Sequence, residues 1–235
     1  MLEKPITVCS FLWNDPQRRR NYKFGPEHVR ILRNMVQRNL SLPHRFICVT
    51  DEKIEGIETV PMDWTNHVPG TCFVKTCMWR RDAWLGGRIF YLDLDVVITG
   101  NIDHIVDRKE DVVLYHNPNY RMGERRAFYQ GSVQLMDAGA RPELYECFEP
   151  LDTPKWVNWR FGGAEQAWYS EALPWTEAYW DEADGIYGAG RIGDWHSGVE
   201  SILPDNACIV VFPGNREPSQ PEVQEKCPWV KNHYK

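Results

Sequence analysis

Arg88-Ile89-Phe90-Tyr91-Leu92-Asp93-Leu94-Asp95-Val96-Val97-Ile98-Thr99 is the stretch on which the fold turns. Five residues of apolar, β-type sequence run into two acids separated by one leucine, and a second β-branched run follows. Acids directly after a buried strand are costly unless they lie at its exit or bind something. Where such a strand ends in a turn, the carboxylates of Asp93 and Asp95 can converge on one hard divalent cation, which would bridge to a diphosphate and offset the charge building on a leaving group.

The segments before this stretch alternate between strand and helix patterns. Ile6-Thr7-Val8-Cys9 is a β-branched run that stops at Ser10. Pro26 suits a first helical turn, and Val29, Leu32, Met35, Val36 and Leu40 then recur at helical spacing. Arg45 to Thr50 reads as a second strand ending at Asp51, and residues 54–61 as a short third one. Phe73 to Leu85 carries a helix-like pattern that Gly86-Gly87 ends. This β-α-β-α-β order predicts an α/β fold with a mostly parallel sheet covered by helices. Ligands of such sheets bind beyond the carboxyl ends of the strands, where Ser10, Asp51 and Asp93 fall.

The second half is less regular. Asp111 to Tyr115 and Gly131 to Met136 read as strands, and Pro142 to Phe148 and Glu165 to Glu171 as helices. Leu173 to Pro204 is loop-rich, and Cys208 to Phe212 is a final strand. With 235 residues and neither repeat nor linker, the chain is expected to be one domain, 1–235, its strand-rich first half closing near residue 103. No apolar stretch is long enough to span a membrane, and the first residues lack a signal-peptide profile, so a cytoplasmic protein is expected. Lys and Arg total 27 against 33 acids, which excludes a global basic field for nucleic acid. Seven scattered cysteines without a CxxC argue against a disulfide scaffold and a structural zinc site.

The stretch from Arg88 to Asp103 resembles the strand, DxD motif and following step of nucleotide-sugar-dependent glycosyltransferases of the GT-A fold, and in particular glycosyltransferase family 8 and related bacterial and phage members. Gln130-Gly-Ser-Val-Gln134 is similar to their "N-[SA]-G-V" strand and Gly163-Ala-Glu-Gln166 to their "G-D-Q" segment. The resemblance implies a three-layer α/β/α sandwich, a donor-nucleotide half over 1–103 and an acceptor half over 104–235. It implies transfer of a sugar from a nucleotide-sugar donor, UDP-linked, to an acceptor hydroxyl with retention and with Mn²⁺ or Mg²⁺.

Carried over by position, the resemblance makes Asp93 and Asp95 the metal ligands. It places Ser10, Phe11, Asp51, Lys75, Asp93, Leu94, Gln130, Gly214 and Asn215 around the donor, and Glu165 and Gln166 beside the transferred sugar with Asp95 as catalytic partner. Lys75 would reach the phosphates; as a sequence feature alone it reads equally as a solvated helix lysine. Glu165 reads equally as an acid in a first helical turn. Relatives carry "F-H-G-x-x-[KR]-P" where this chain has Phe212-Pro213-Gly214-Asn215-Arg216-Glu217-Pro218. Proline supplies no side-chain ligand, so His196 and His233 are the remaining histidine candidates for a third one. A glycan is the favoured acceptor, with Tyr115-His116-Asn117-Pro118 and six tryptophans between Trp156 and Trp195 as its wall. A DNA base is the less favoured acceptor, contacted by Arg18-Arg19-Arg20, Arg80-Arg81, Arg121 and Arg125-Arg126.

Two other classes fit part of the pattern. Asp93-Leu94-Asp95-Val96-Val97 also matches the D-x-D-x-[TV] motif of haloacid dehalogenase-like phosphatases, where the first acid is the nucleophile. That motif ordinarily follows the first strand, whereas here about ninety residues precede it. The third class is a degenerate transferase that binds nucleotide or glycan without turnover, favoured by Pro213 and opposed by the retained acids.

Overall fold

The computed structural model describes residues 5–13, 24–116, 128–155, 157, 165–189, 202–212, 214 and 216–235. Seven strands form the central sheet: β1 (Ile6–Phe11), β2 (His44–Val49), β3 (Glu58–Val60), β4 (Arg88–Leu92), β6 (Val112–Tyr115), β7 (Gln130–Asp137) and β8 (Ala178–Trp180), in the order β3-β2-β1-β4-β7-β6-β8. A second sheet has the order β5-β10-β9, from β5 (Val96–Ile98), β9 (Ile186–Gly188) and β10 (Ile209–Val211). In the large sheet only β7 runs against its neighbours; every other pairing is parallel. The expected α/β fold with a mostly parallel sheet is the observed one.

β4 is buried at all five positions, as a strand covered on both faces must be. Its alternate side chains feed two cores. Phe90 and Leu92 join Val8 on the face covered by the first helix, α1 (Pro26–Asn39), through Val29, Leu32, Met35 and Val36. Ile89 and Tyr91 join Cys9 and Phe11 on the opposite face, packed against a 3-10 helix (Phe73–Trp79) and α4 (Glu165–Ala172). Three short helices, α2 (Asp103–Val106), α3 (Glu143–Glu146) and α5 (Pro221–Lys226), and a last turn, α6 (Val230–His233), complete the layers. Gly87 precedes β4 with φ +63°, and a Cβ there would stand 2.3 Å from the Pro5 carbonyl oxygen, so glycine is required where β4 enters beside β1.

The start of α1 gives a pH dependence. Pro26 occupies its first turn, and the Gly25 N–H donates to His28 Nδ1 at 2.9 Å, so the neutral ring serves as the cap acceptor. Burial lowers the His28 pKa below 6.5, against the opposing pull of Glu27. Below about pH 6.5 the unfolded chain therefore takes up a proton that the folded chain resists, and stability falls with pH. Urea titrations at pH 7.5 and 5.5 should show lower stability at the acid pH, a loss that His28→Gln removes because an amide keeps the cap without titrating. An unchanged pH slope in that variant would rule out His28 as the source.

Two expectations are corrected. The helix expected from Phe73 to Leu85 is a 3-10 helix that stops at Trp79. All seven of its residues are buried, so its pattern was never that of a one-sided α-helix. Arg80 then turns extended, and the Trp84 Nε1–H donates to the Cys77 carbonyl at 2.9 Å, closing the end. The loop-rich stretch from Leu173 to Pro204 holds β8 and β9, each only three residues long and too short to show a period. The final strand is found as expected, at Ile209–Val211, where it pairs antiparallel with β5 and parallel with β9.

Candidate active site

Asp93-Leu94-Asp95 forms the turn between β4 and β5, and so joins the two sheets. The Asp93 N–H donates to the Ser132 carbonyl of β7 at 2.9 Å, and the Phe212 N–H donates to the Asp95 carbonyl at 3.0 Å. Leu94 turns into the core with 5% exposure and locks the triplet from below. The turn is fixed before any side chain acts.

Two charged side chains and one hydroxyl then gather around Asp93. Lys75, from the 3-10 helix, donates from Nζ to Asp93 Oδ1 at 2.6 Å and to Glu165 Oε1, in the first turn of α4, at 2.8 Å. The Tyr91 hydroxyl donates to the same Asp93 oxygen, and Lys75 Nζ lies 5.3 Å from the Tyr91 ring centroid. The side chains of Lys75 and Glu165 are each 4% exposed, which removes the solvated-lysine reading. Burial alone would lower the Lys75 pKa; Asp93 and Glu165 overcome it and hold it well above the ordinary lysine value. Burial raises Glu165 against the pull of Lys75, and burial followed by Asp93 raises the Tyr91 hydroxyl.

Asp95 is the member left over. Its Oδ1 is buried with no hydrogen-bond partner, and burial together with the Asp93 charge pushes its pKa well above the carboxylate range. Two adjacent carboxylates, one carrying an orphaned oxygen, could hold a hard cation such as Mg²⁺ or Mn²⁺. Among the described residues no group of three or more His, Cys, Asp and Glu side chains assembles here. His233, one candidate third ligand, joins no such group; burial, and then the charges of Arg38 and Lys235, lower its pKa. His196, Pro213 and Asn215 lie outside the described residues.

Other buried polar atoms at this end of the sheet also lack partners: Ser10 Oγ in β1, Gln130 Nε2 at the start of β7 and Glu165 Oε2. Gln166, next to Glu165, is 9% exposed. Phe11 is buried and meets the Tyr91 ring edge-on at 5.8 Å, so it supports the cluster from within the core. Asp51 stays exposed, its two oxygens accepting from the Met62 N–H and the Trp64 indole. Gly214 is exposed in a left-handed turn, φ +84°. Arg80 and Arg81, suggested for DNA, are paired with Asp63, Asp82 and Glu146; Arg18 to Arg20, Arg121, Arg125 and Arg126 lie outside the described residues, as do Asn117, Pro118, Trp156, Trp159 and Trp195.

Sequence reasoning missed two members of the cluster. Tyr91 stands two residues before Asp93 and so shares its side of the strand, a period-two signal that was available. Gly131 is the other: a Cβ there would stand 2.4 Å from Glu165 Oε1, so its bare backbone is what lets Glu165 reach Lys75. Nothing in the sequence paired those two positions.

No family model matches the chain, and no curated protein matches it in sequence. Solved structures do match in shape. An active-site glutamine-to-glutamate mutant of LgtC superposes with a TM-score of 0.58 at 10% identity, over 97% of this chain and 96% of that one. The galactosyltransferase LgtC in complex with donor and acceptor sugar analogues superposes with a TM-score of 0.57 at 9% identity, over the same shares. The chain thus has the fold of the LgtC galactosyltransferase structures, the GT-A architecture that its DxD stretch led one to expect.

Proposed function

We propose that this chain is a metal-dependent glycosyltransferase that moves a sugar from a nucleotide-sugar donor, UDP-linked, to a hydroxyl of a glycan, with retention of configuration. The observation that carries the reading is the ion cluster of Lys75, Asp93 and Glu165 beside the orphaned Asp95 oxygen, at the carboxyl end of the sheet where α/β folds bind nucleotides. The fold shared with LgtC, crystallised with donor and acceptor sugar analogues, supports it. Retention rests on the family resemblance alone.

Asp93 and Asp95 would hold the divalent cation, which supplies Lewis-acid neutralisation of the departing diphosphate. Lys75 holds Asp93 in place through its 2.6 Å ion pair while its own charge is shared with Glu165. Glu165 has one oxygen tied to Lys75 and one free, and the free carboxylate oxygen suits a site where positive charge develops at the anomeric carbon. Gln166, 9% exposed and next to Glu165, is the amide we assign to the donor hydroxyls. Ser10 Oγ and Gln130 Nε2 are unmet polar atoms that a nucleoside or sugar hydroxyl would satisfy. Residues 1–103 then form the donor-nucleotide half of one domain and 104–235 the acceptor half.

Thermal unfolding with UDP-, GDP-, CMP- and dTDP-sugars, each with and without Mn²⁺, tests the reading. A UDP-sugar at 100 times its Kd adds about 2.7 kcal/mol, and the shift requires the metal. No shift with any donor, together with hydrolysis of a generic phosphate ester, would overturn it in favour of the phosphatase.

A further inference from the structure

A group of aromatic rings gathers His116 and Trp175, two residues expected from the sequence to wall the acceptor, with Phe128 and Tyr179, which were not singled out. His116 follows β6, Phe128 precedes β7, Trp175 follows α4 and Tyr179 is the central residue of β8, the edge strand of the large sheet. His116 stacks on Phe128 at 4.2 Å and 26°, and Phe128 stacks on Trp175 at 5.3 Å and 12°. Tyr179 meets His116 and Phe128 edge-on at 5.2 and 5.9 Å. The outer rings are open: Trp175 is 54% exposed and Tyr179 43%. Large aromatics left in water as a contiguous group mark an interaction surface.

Polar bonds fix the rings without using up the surface. The Trp175 indole N–H donates to the Ser170 carbonyl at 2.6 Å, and His116 Nδ1–H donates to the Phe128 carbonyl at 2.7 Å. The second bond selects the tautomer whose Nε2 is an acceptor when the ring is neutral. Among the described residues no cation lies over any of these four rings. Rigid, electron-rich ring faces with a nearby neutral acceptor and no phosphate-binding cation suit a neutral polyol, whose apolar C–H face lies on the ring while a hydroxyl donates to the acceptor.

Position connects this surface to the site. Phe128 is four residues before Ser132, whose carbonyl holds Asp93, so the two Cα atoms lie within about 14 Å. Gly131, within the same run, touches Glu165. A short glycan could therefore rest on the rings and still present a hydroxyl to the cluster. We infer that Trp175 and Tyr179, backed by Phe128 and His116, form the acceptor-side face that stacks a pyranose ring of an oligosaccharide. As an acceptor face it rests on the transferase reading; as a saccharide-binding face it is tested separately.

The probes are lactose, cellotriose and maltotriose, read by saturation-transfer NMR on the full chain without donor. At least one binds the wild type, and Trp175→Ala and Tyr179→Ala each weaken it about tenfold while the metal-dependent shift with UDP-sugar stays unchanged. Both side chains are exposed, and thermal unfolding checks that the variants fold. The inference is overturned if none of the three saccharides binds, or if both variants bind as the wild type does. It is equally overturned if sedimentation shows that the variants dissociate a dimer, which would give the face to a second copy, or if the variants lose salt-sensitive binding of a single-stranded oligonucleotide instead. Saccharide binding that survives alongside a missing donor shift would sink the transferase reading and leave the sugar face standing.

Discussion

Replacing Lys75 by methionine lowers the stability of the folded chain by about 3–5 kcal/mol, the loss expected when one partner of a buried ion cluster is removed. Methionine keeps much of the stem volume, so the loss is electrostatic: Asp93 and Glu165, which Lys75 joins at 2.6 and 2.8 Å, are left facing each other at the mouth of the core. The urea midpoint should fall at unchanged m-value. Adding Glu165→Gln to Lys75→Met should recover part of the loss, because the second buried charge goes with it. The pH dependence has a definite sign. Burial already raises the Glu165 pKa, and losing Lys75 raises it further, so the folded variant takes up a proton before the unfolded chain does. Its deficit should therefore shrink as pH falls from about 7 towards the ordinary glutamate value of 4.5. A deficit independent of pH, or a loss below about 1 kcal/mol, would show that the cluster is not the electrostatic keystone described here.

Asp95→Ala should act in the opposite sense on stability and far more strongly on turnover. The carboxylate is raised by burial and by Asp93, and its Oδ1 has no partner, so removing it in the absence of metal leaves stability equal or higher by about 1 kcal/mol. Transfer from the nucleotide sugar should fall by about a thousandfold or more, equivalent to about 4 kcal/mol of lost transition-state stabilisation. The metal-dependent thermal shift should vanish with it. Full turnover in this variant would remove the DxD turn from the mechanism, and marked destabilisation would mean that Asp95 serves the fold.

The pair of predictions also shows what could be read from sequence. Arg88 to Thr99 was readable because, after Arg88, a strand buried on both faces has no charged position until it ends, so Asp93 announces the exit of β4. α1 was readable from its one-sided period and Pro26. The 3-10 helix was not, since a segment buried all round carries no period, and β8 and β9 are too short to carry one. Lys75 and Glu165 were singled out by resemblance, yet their meeting depends on tertiary placement: ninety residues separate them and Gly131 makes the room. Tyr91 was overlooked despite a local signal. Asp51 shows the converse, a strand-end acid whose oxygens are committed to its own loop.

The seam between the two sheets sets an order of events during synthesis. Asp93 ends a strand whose parallel neighbour β1 has already left the ribosome, but Asp95 opens β5, whose partner β10 begins at residue 209. The Phe212 N–H that holds the Asp95 carbonyl arrives later still. A nascent chain stalled before that point has its first half translated but the two carboxylates not yet held in register. Long-range pairing of this kind is slow. Competence to bind a cation should therefore appear only as the last strand docks, which makes the carboxylate pair a late reporter of complete folding.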